Sequence, residues 1–179
     1  ADRIDARKIL AAQGKPMLDL VLSLDVAEYT RRADSFRRLR EEGLARYVGV
    51  ARHREEFHEP MMALMKARAV DFVQVNYSML DPEAGKRLLP LAQDLGVAIL
   101  INRPFVNGDY FRLVKGQPLP EWAAEFDCHS WAQFSLKFIL SHPAVNCVLT
   151  ETANPKHALD NIGGGVAIGN TCSVVLVNN

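Results

Sequence analysis

An α/β fold built on a parallel sheet is predicted by three features of this 179-residue chain. Two runs, RYVGVA (Arg46 to Ala51) and DFVQVNYS (Asp71 to Ser78), open on a charged residue, continue through apolar β-branched and aromatic residues, and end in small or polar ones. A near-continuous apolar run is the signature of a parallel strand buried on both faces. Such runs alternate with helical patterns in a unit of about 25 residues, as in a succession of βα units. Gly or Pro punctuates most of the joins.

The elements follow in order. Leu18 to Leu24 is the first apolar run. A helix is predicted over Ala27 to Glu42, with Tyr29, Ala33, Phe36 and Leu39 on one face and Arg31, Arg32, Arg37, Arg38, Glu41 and Glu42 on the solvated one. Gly43 stands where a helix C-cap belongs. Arg46 to Val50 is the second strand, followed by a helix over about 55–68 that carries Pro60 in its first two turns. Phe72 to Asn76 is the third strand. Its helix is expected to start at Asp81 and Pro82, an N-cap and a first-turn proline, to bury Leu88, Leu91, Ala92 and Leu95, and to end at Gly96.

Val97 to Ile101 is the fourth strand, and a long excursion broken by Gly108, Gly116, Pro118 and Pro120 follows. Ser130 to Ser141 reads as an apolar helix stopped by Pro143, with Trp131, Phe134 and Phe138 assigned to the core. Val145 to Thr150 is the fifth strand, and Asn154-Pro155 opens a helix reaching Ile162. Five strands suit an open doubly wound sheet or part of a (β/α)8 barrel, since a whole barrel takes about 250 residues. The last stretch, 163–179, is an uncharged apolar tail in which Ser173 to Val177 reads as a strand.

Lys plus Arg and Asp plus Glu are equal at 21 each, so no net field directs the chain to nucleic acid or to an anionic membrane. No apolar run reaches the about 18 residues of a membrane span. The three cysteines, Cys128, Cys147 and Cys172, are odd in number and far apart, which argues against a disulfide framework and for a reducing cytoplasm. His53 and His58, with Glu55, Glu56 and Glu59 around them, lack the i, i+4 spacing of a helical metal pair and read as a solvated face. Gly163, Gly165 and Gly169 have a spacing like that of a dinucleotide loop, but a helix precedes them and a strand-like run follows. The motif needs the reverse order.

From Met17 to Ile162 the chain resembles the carboxyl-terminal part of the aldo-keto reductases, in particular bacterial members with NRPF after the seventh barrel strand. The resemblance is carried by LDLVLSLDV, REEGLARYVGV, VDFVQVNYS, LLPLAQDLGVAILINRPF, LPEWAAEFDC, SWAQFSLKFILSHPAV and NPKHALDN, in that order. It implies a partial (β/α)8 barrel over 1–162, with the five strands standing as strands four to eight. It also implies reduction of a small carbonyl compound by hydride transfer from NAD or NADP, with a tyrosine as general acid assisted by a lysine, an aspartate and a histidine.

The first three of those groups belong to the amino-terminal half of the family's barrel, which this sequence does not contain, and Leu24 stands at the histidine position. No catalytic residue is therefore assigned. The chain is expected not to turn over alone, and the alternative is a non-catalytic remnant or a nucleotide-binding or interaction module. Cofactor contacts are implied at Gln74 for the nicotinamide carboxamide and at Asn102 and Arg103 for the nicotinamide and phosphates. Thr152, His157, Asp160 and Asn161 are implied for the adenosine end. Ala51 and Arg52 replace a small polar pair beside the nicotinamide. Glu151 stands where NADP-dependent members often carry a lysine, so NAD is favoured over NADP. Open sheet edges imply either self-association or poor stability.

Overall fold

The computed structural model describes residues 18–23, 26–150, 156–157, 160–161 and 174–177. Leu24, Asp25, Glu151, Thr152, Cys172 and the glycine-rich stretch 163–169 lie outside them. Six strands form one parallel sheet: β1 (Leu18–Ser23), β2 (Ala45–Arg52), β3 (Phe72–Asn76), β4 (Ala98–Asn102), β5 (Val145–Val148) and β6 (Val174–Val177). Their order is β5-β4-β3-β2-β1-β6. The five predicted strands are thus laid down in sequence, and the tail supplies a sixth, paired with β1 from Leu20↔Val174 to Ser23↔Val177.

Register divides β2, β3 and β4 into two faces. Gly49 pairs with Phe72 and Ala51 with Gln74, while Phe72, Gln74 and Asn76 pair with Ala98, Leu100 and Asn102. Side chains alternate along a strand, so these residues share one face. Val48, Val50, Val73, Val75, Ile99 and Ile101 occupy the other, each 0% exposed, in one core with the helices. The first face holds a separate small cluster of Ala51, Phe72 and Leu100. Gly49 is required there, because a Cβ would lie 2.5 Å from the Phe72 carbonyl oxygen and 2.7 Å from its ring.

The helices are α1 (Val26–Arg31), α2 (Ala33–Glu41), α3 (His58–Lys66), α4 (Ala84–Leu95), α5 (Asp109–Leu113) and α6 (Trp131–Leu140). The single helix predicted over Ala27 to Glu42 is two, interrupted at Arg32 (φ −112°, ψ 19°). The Thr30 hydroxyl donates to the Val26 carbonyl four residues back at 2.9 Å, a bond that bends helices. Tyr29 and Phe36, stacked at 4.4 Å, still form the buried face.

The helix expected at Asp81 begins at Ala84. Asp81 instead closes a turn with Ser78, and its carboxylate accepts from Asn76 Nδ2 at 3.1 Å. Leu89 is fully buried in α4 alongside Leu88 and Ala92, whereas Leu91 and Leu95 are only partly covered. Gly43 and Gly96 both follow their helices in the left-handed conformation, φ 66° and 68°, as the C-cap reading requires.

In α6 the sheet side is Ala132, Ser135, Leu136 and Ile139. Trp131, Phe134 and Phe138, expected in the core, are half-buried. Trp131 and Phe134 pack instead on Tyr110 and Trp122 of the excursion at 6.3 and 5.3 Å, so an aromatic run serves a second, peripheral cluster.

Candidate ligand site at the carboxyl rim of β3 and β4

β3 and β4 carry apolar residues through their length and end in amides, Asn76 and Asn102, which are register partners. One residue beyond, Arg103 takes a left-handed backbone, φ 50°, and turns the chain off the sheet. Beside this rim is a cavity of about 420 Å³ lined by Gln74, Asn102, Arg103, Pro104, Phe105, Asn107, Gly108, Phe111 and Leu149. Its size is that of a small-molecule site, and it lies where parallel α/β sheets bind ligands.

The chemistry of the wall is specific. Gln74 offers an amide that both donates and accepts. Arg103 offers a guanidinium whose Nε donates to Asn107 Oδ1 at 3.1 Å. Phe105 and Phe111, with ring centroids 4.8 Å apart, supply an apolar lip, Phe111 being 40% exposed. Asn102 Oδ1 is buried beside the cavity with no hydrogen-bond partner among the described residues. Asn76 Oδ1, on the neighbouring strand, shares that state.

General acids are missing from this wall: among the described residues no Tyr, Lys, His, Asp or Glu lines the cavity. Tyr110 packs behind the lip, its ring centroid 6.4 Å from that of Phe105, and is 3% exposed. Burial pushes its hydroxyl up to about 12. Burial also raises Tyr77 and Tyr29. The Tyr110 hydroxyl is buried with no hydrogen-bond partner among the described residues, whereas that of Tyr29 donates to the Ala69 carbonyl.

Three of the sequence-predicted contacts, Gln74, Asn102 and Arg103, meet at the one cavity. The pair that departs from the family pattern separates: Ala51 lies beside Gln74 with only a methyl, while Arg52 is the register partner of Val75 and sets its guanidinium 4.8 Å from the Phe57 ring centroid. Of the four adenosine-end residues, Thr152 lies outside the described residues. His157 is exposed and Asn161 buried. Asp160 has a structural engagement: Ser130 Oγ donates to its carboxylate at 2.8 Å and Gln133 Nε2 at 3.0 Å, which fastens the last helical residues to the N-terminus of α6. Ser130 also caps that helix by accepting from the Gln133 N–H at 3.2 Å.

Asn107 and the aromatic lip of Phe105 and Phe111 were not singled out from the sequence. The Asn107-Gly108 dipeptide was the available signal, since such pairs favour left-handed turns. No cluster of three or more His, Cys, Asp and Glu is placed to hold a metal ion among the described residues. His53 is exposed, whereas His58 is half-buried rather than on a solvated face. No described helix is long and apolar enough to cross a membrane.

Parallel strands β1 to β5 laid side by side in chain order, with a cavity at their carboxyl rim, have the arrangement of the (β/α) barrel class. The chain belongs to the Aldo/keto reductase family, whose sequence profile matches residues 7–166. Solved structures of similar fold include an aldo/keto reductase from Klebsiella pneumoniae in complex with NADP and acetate, 18% identical with a TM-score of 0.68. An aldo-keto reductase from Klebsiella pneumoniae in complex with NADPH is 19% identical with a TM-score of 0.67. The thermostable aldo-keto reductase Tm1743, in complex with the inhibitor epalrestat, is 20% identical with a TM-score of 0.66. The first two alignments cover 92% of this chain and 59% of the other, the third 89% and 58%. The chain spans about three-fifths of those structures, so its fold is a partial barrel. No curated protein matches it.

Proposed function

We propose that this chain is the nicotinamide-nucleotide-holding part of an aldo-keto reductase and that it binds without turning over on its own. The observation that carries the reading is the convergence of Gln74, Asn102 and Arg103 on one cavity whose wall holds binding groups and, among the described residues, no general acid. The donor set suits the nicotinamide end of the cofactor: an amide opposite a carboxamide, a guanidinium for phosphate, and an aromatic lip beside a planar ring. When bound, the nucleotide would supply hydride for carbonyl reduction. Gln74 would orient its carboxamide, Arg103 would hold phosphate, and Phe105 with Phe111 would exclude water.

The departure at Glu151 favours NAD over NADP, because a carboxylate beside the adenosine would repel a 2′-phosphate. Fluorescence titration of the chain with NADH and NADPH tests both points. Saturable NADH binding is expected, weakened about tenfold by Gln74→Leu or by Arg103→Ala, with NADPH bound more weakly. Tighter NADPH binding overturns the preference, and oxidation of NADH with small aldehydes by this chain alone overturns the non-catalytic reading. Cysteine usage supports a reducing compartment such as the cytoplasm. The exposed edge of β5, last in the strand order, supports self-association, which light scattering would detect as a mass above that of one chain.

A further inference from the structure

The loop leaving β4 joins two of its side chains, Arg103 and Asn107, by a hydrogen bond. Arg103, Val106, Asn107 and Gly108 all have positive φ, 50°, 48°, 55° and 91°. A β-branched residue such as Val106 is a genuine outlier there, and strain of this kind persists only where the surroundings enforce it. The loop brings Asn107 Oδ1 to 3.1 Å from Arg103 Nε. Asn is among the side-chain-bearing residues that tolerate this backbone best, so position 107 combines a left-handed turn with a hydrogen-bond acceptor.

The acceptor is uncharged, and this sets the chemistry. Arginine side chains near a surface commonly meet a carboxylate, as Arg40 does with Asp71 at 2.7 Å. Among the described residues Arg103 forms no ion pair, and its side chain's polar partner, Asn107, is neutral. An amide fixes one edge of the guanidinium without cancelling its charge. The two Nη groups then remain as a planar pair of donors, the arrangement that binds phosphate in bidentate fashion.

We propose that Asn107 is a positioning residue which holds the Arg103 guanidinium as an anion clamp at the mouth of the cavity, selecting a phosphate or pyrophosphate group. The naming of a nucleotide as the bearer of that group rests on the function proposed above, whereas the clamp itself does not. The test therefore uses two probes on the chain: inorganic pyrophosphate and NADH, titrated calorimetrically. Asn107→Gly removes the acceptor and suits the left-handed backbone at position 107, so it adds no strain to the loop. Arg103→Lys keeps the charge but has no Nε–H for Asn107 to accept.

Pyrophosphate affinity is expected to fall about tenfold in Asn107→Gly, and the same substitution made in the Arg103→Lys background is expected to cost less than about twofold. A merely structural loop role would cost the same in both backgrounds and overturns the proposal. So does wild-type affinity in Asn107→Gly, absence of pyrophosphate binding by the unaltered chain, or binding that survives Arg103→Ala. If the pyrophosphate pattern holds while NADH fails to bind, the clamp stands and the nucleotide reading falls.

Discussion

The two faces of the sheet are built by opposite rules. The helix-covered face repeats one type of residue along its middle strands: Val48, Val50, Val73, Val75, Ile99 and Ile101 are all fully buried. The other face changes at nearly every step, from Gly49 and Phe72 through Ala51, Leu100 and Gln74 to Asn76 and Asn102 at the carboxyl end. Uniform β-branched residues make a close-packed layer whose only task is burial. A face that grades from apolar to amide within one strand length has a further task, which is to present polar groups at a rim without opening the core behind them. The first face carries the fold, and the second carries the candidate site.

Neighbouring residues on β4 give the strongest test. Ile99 faces the helices and is fully buried, while Leu100 faces the other way and lines a cavity of about 540 Å³ toward the amino ends of the strands. Ile99→Ala leaves a sealed void and is expected to cost about 2–5 kcal/mol in urea unfolding. Leu100→Ala enlarges a space already open and is expected to cost less than half as much. Equal costs would mean that the second face is packed as tightly as the first, and the contrast would break.

Gly49→Ala sharpens the same contrast from within the site-bearing face. The added methyl meets the Phe72 backbone as well as its ring, so rotating the ring cannot relieve the contact. A loss of about 1–3 kcal/mol is expected. Val48→Ala, one residue away on the opposite face, loses methyl groups instead, and pairing the Gly49 change with Phe72→Leu separates the two cases. The second change should recover only part of the Gly49 loss, because the carbonyl contact at 2.5 Å remains. Full recovery would show that the ring alone excludes the methyl.

The covered face was legible in the sequence because continuous β-branched runs have a simple physical cause, burial on both sides of a strand. Which residues of RYVGVA face the site was not, since an all-apolar run has no alternation to read. Gln74 was visible as a polar interruption of DFVQVN, and its family counterpart implied the role proposed for it. Asn107-Gly108 was visible as a turn signal but its contact with Arg103 was not, because that contact exists only once four residues adopt positive φ. Asp160 shows a third kind of illegibility. Its partners, Ser130 and Gln133, lie 30 and 27 residues away, and only the packing of the closing helical residues against α6 brings them together. The helix break at Arg32 was likewise hidden, since the Thr30 side chain that competes with the backbone leaves the apolar spacing intact.

The smallest effect concerns the helical layer that covers the uniform face. His58 opens α3 and is half-buried, and burial lowers its pKa from the usual 6.5 despite the opposing pull of Glu55, Asp81, Glu83 and Glu59. The positive end of a helix dipole also disfavours an imidazolium there. A lowered folded-state pKa means that the folded chain binds fewer protons than the unfolded chain. Stability is then complete above 6.5 and is lost as the pH falls through the lowered value. The neighbouring carboxylates and solvent screen the effect, so it should stay below about 0.5 kcal/mol. Thermal unfolding between about pH 7.5 and about pH 5 is expected to show a shallower decline for His58→Gln than for the unaltered chain. If both decline in parallel, the acid sensitivity of this layer lies in its carboxylates, and His58 is a spectator of the packing it sits in.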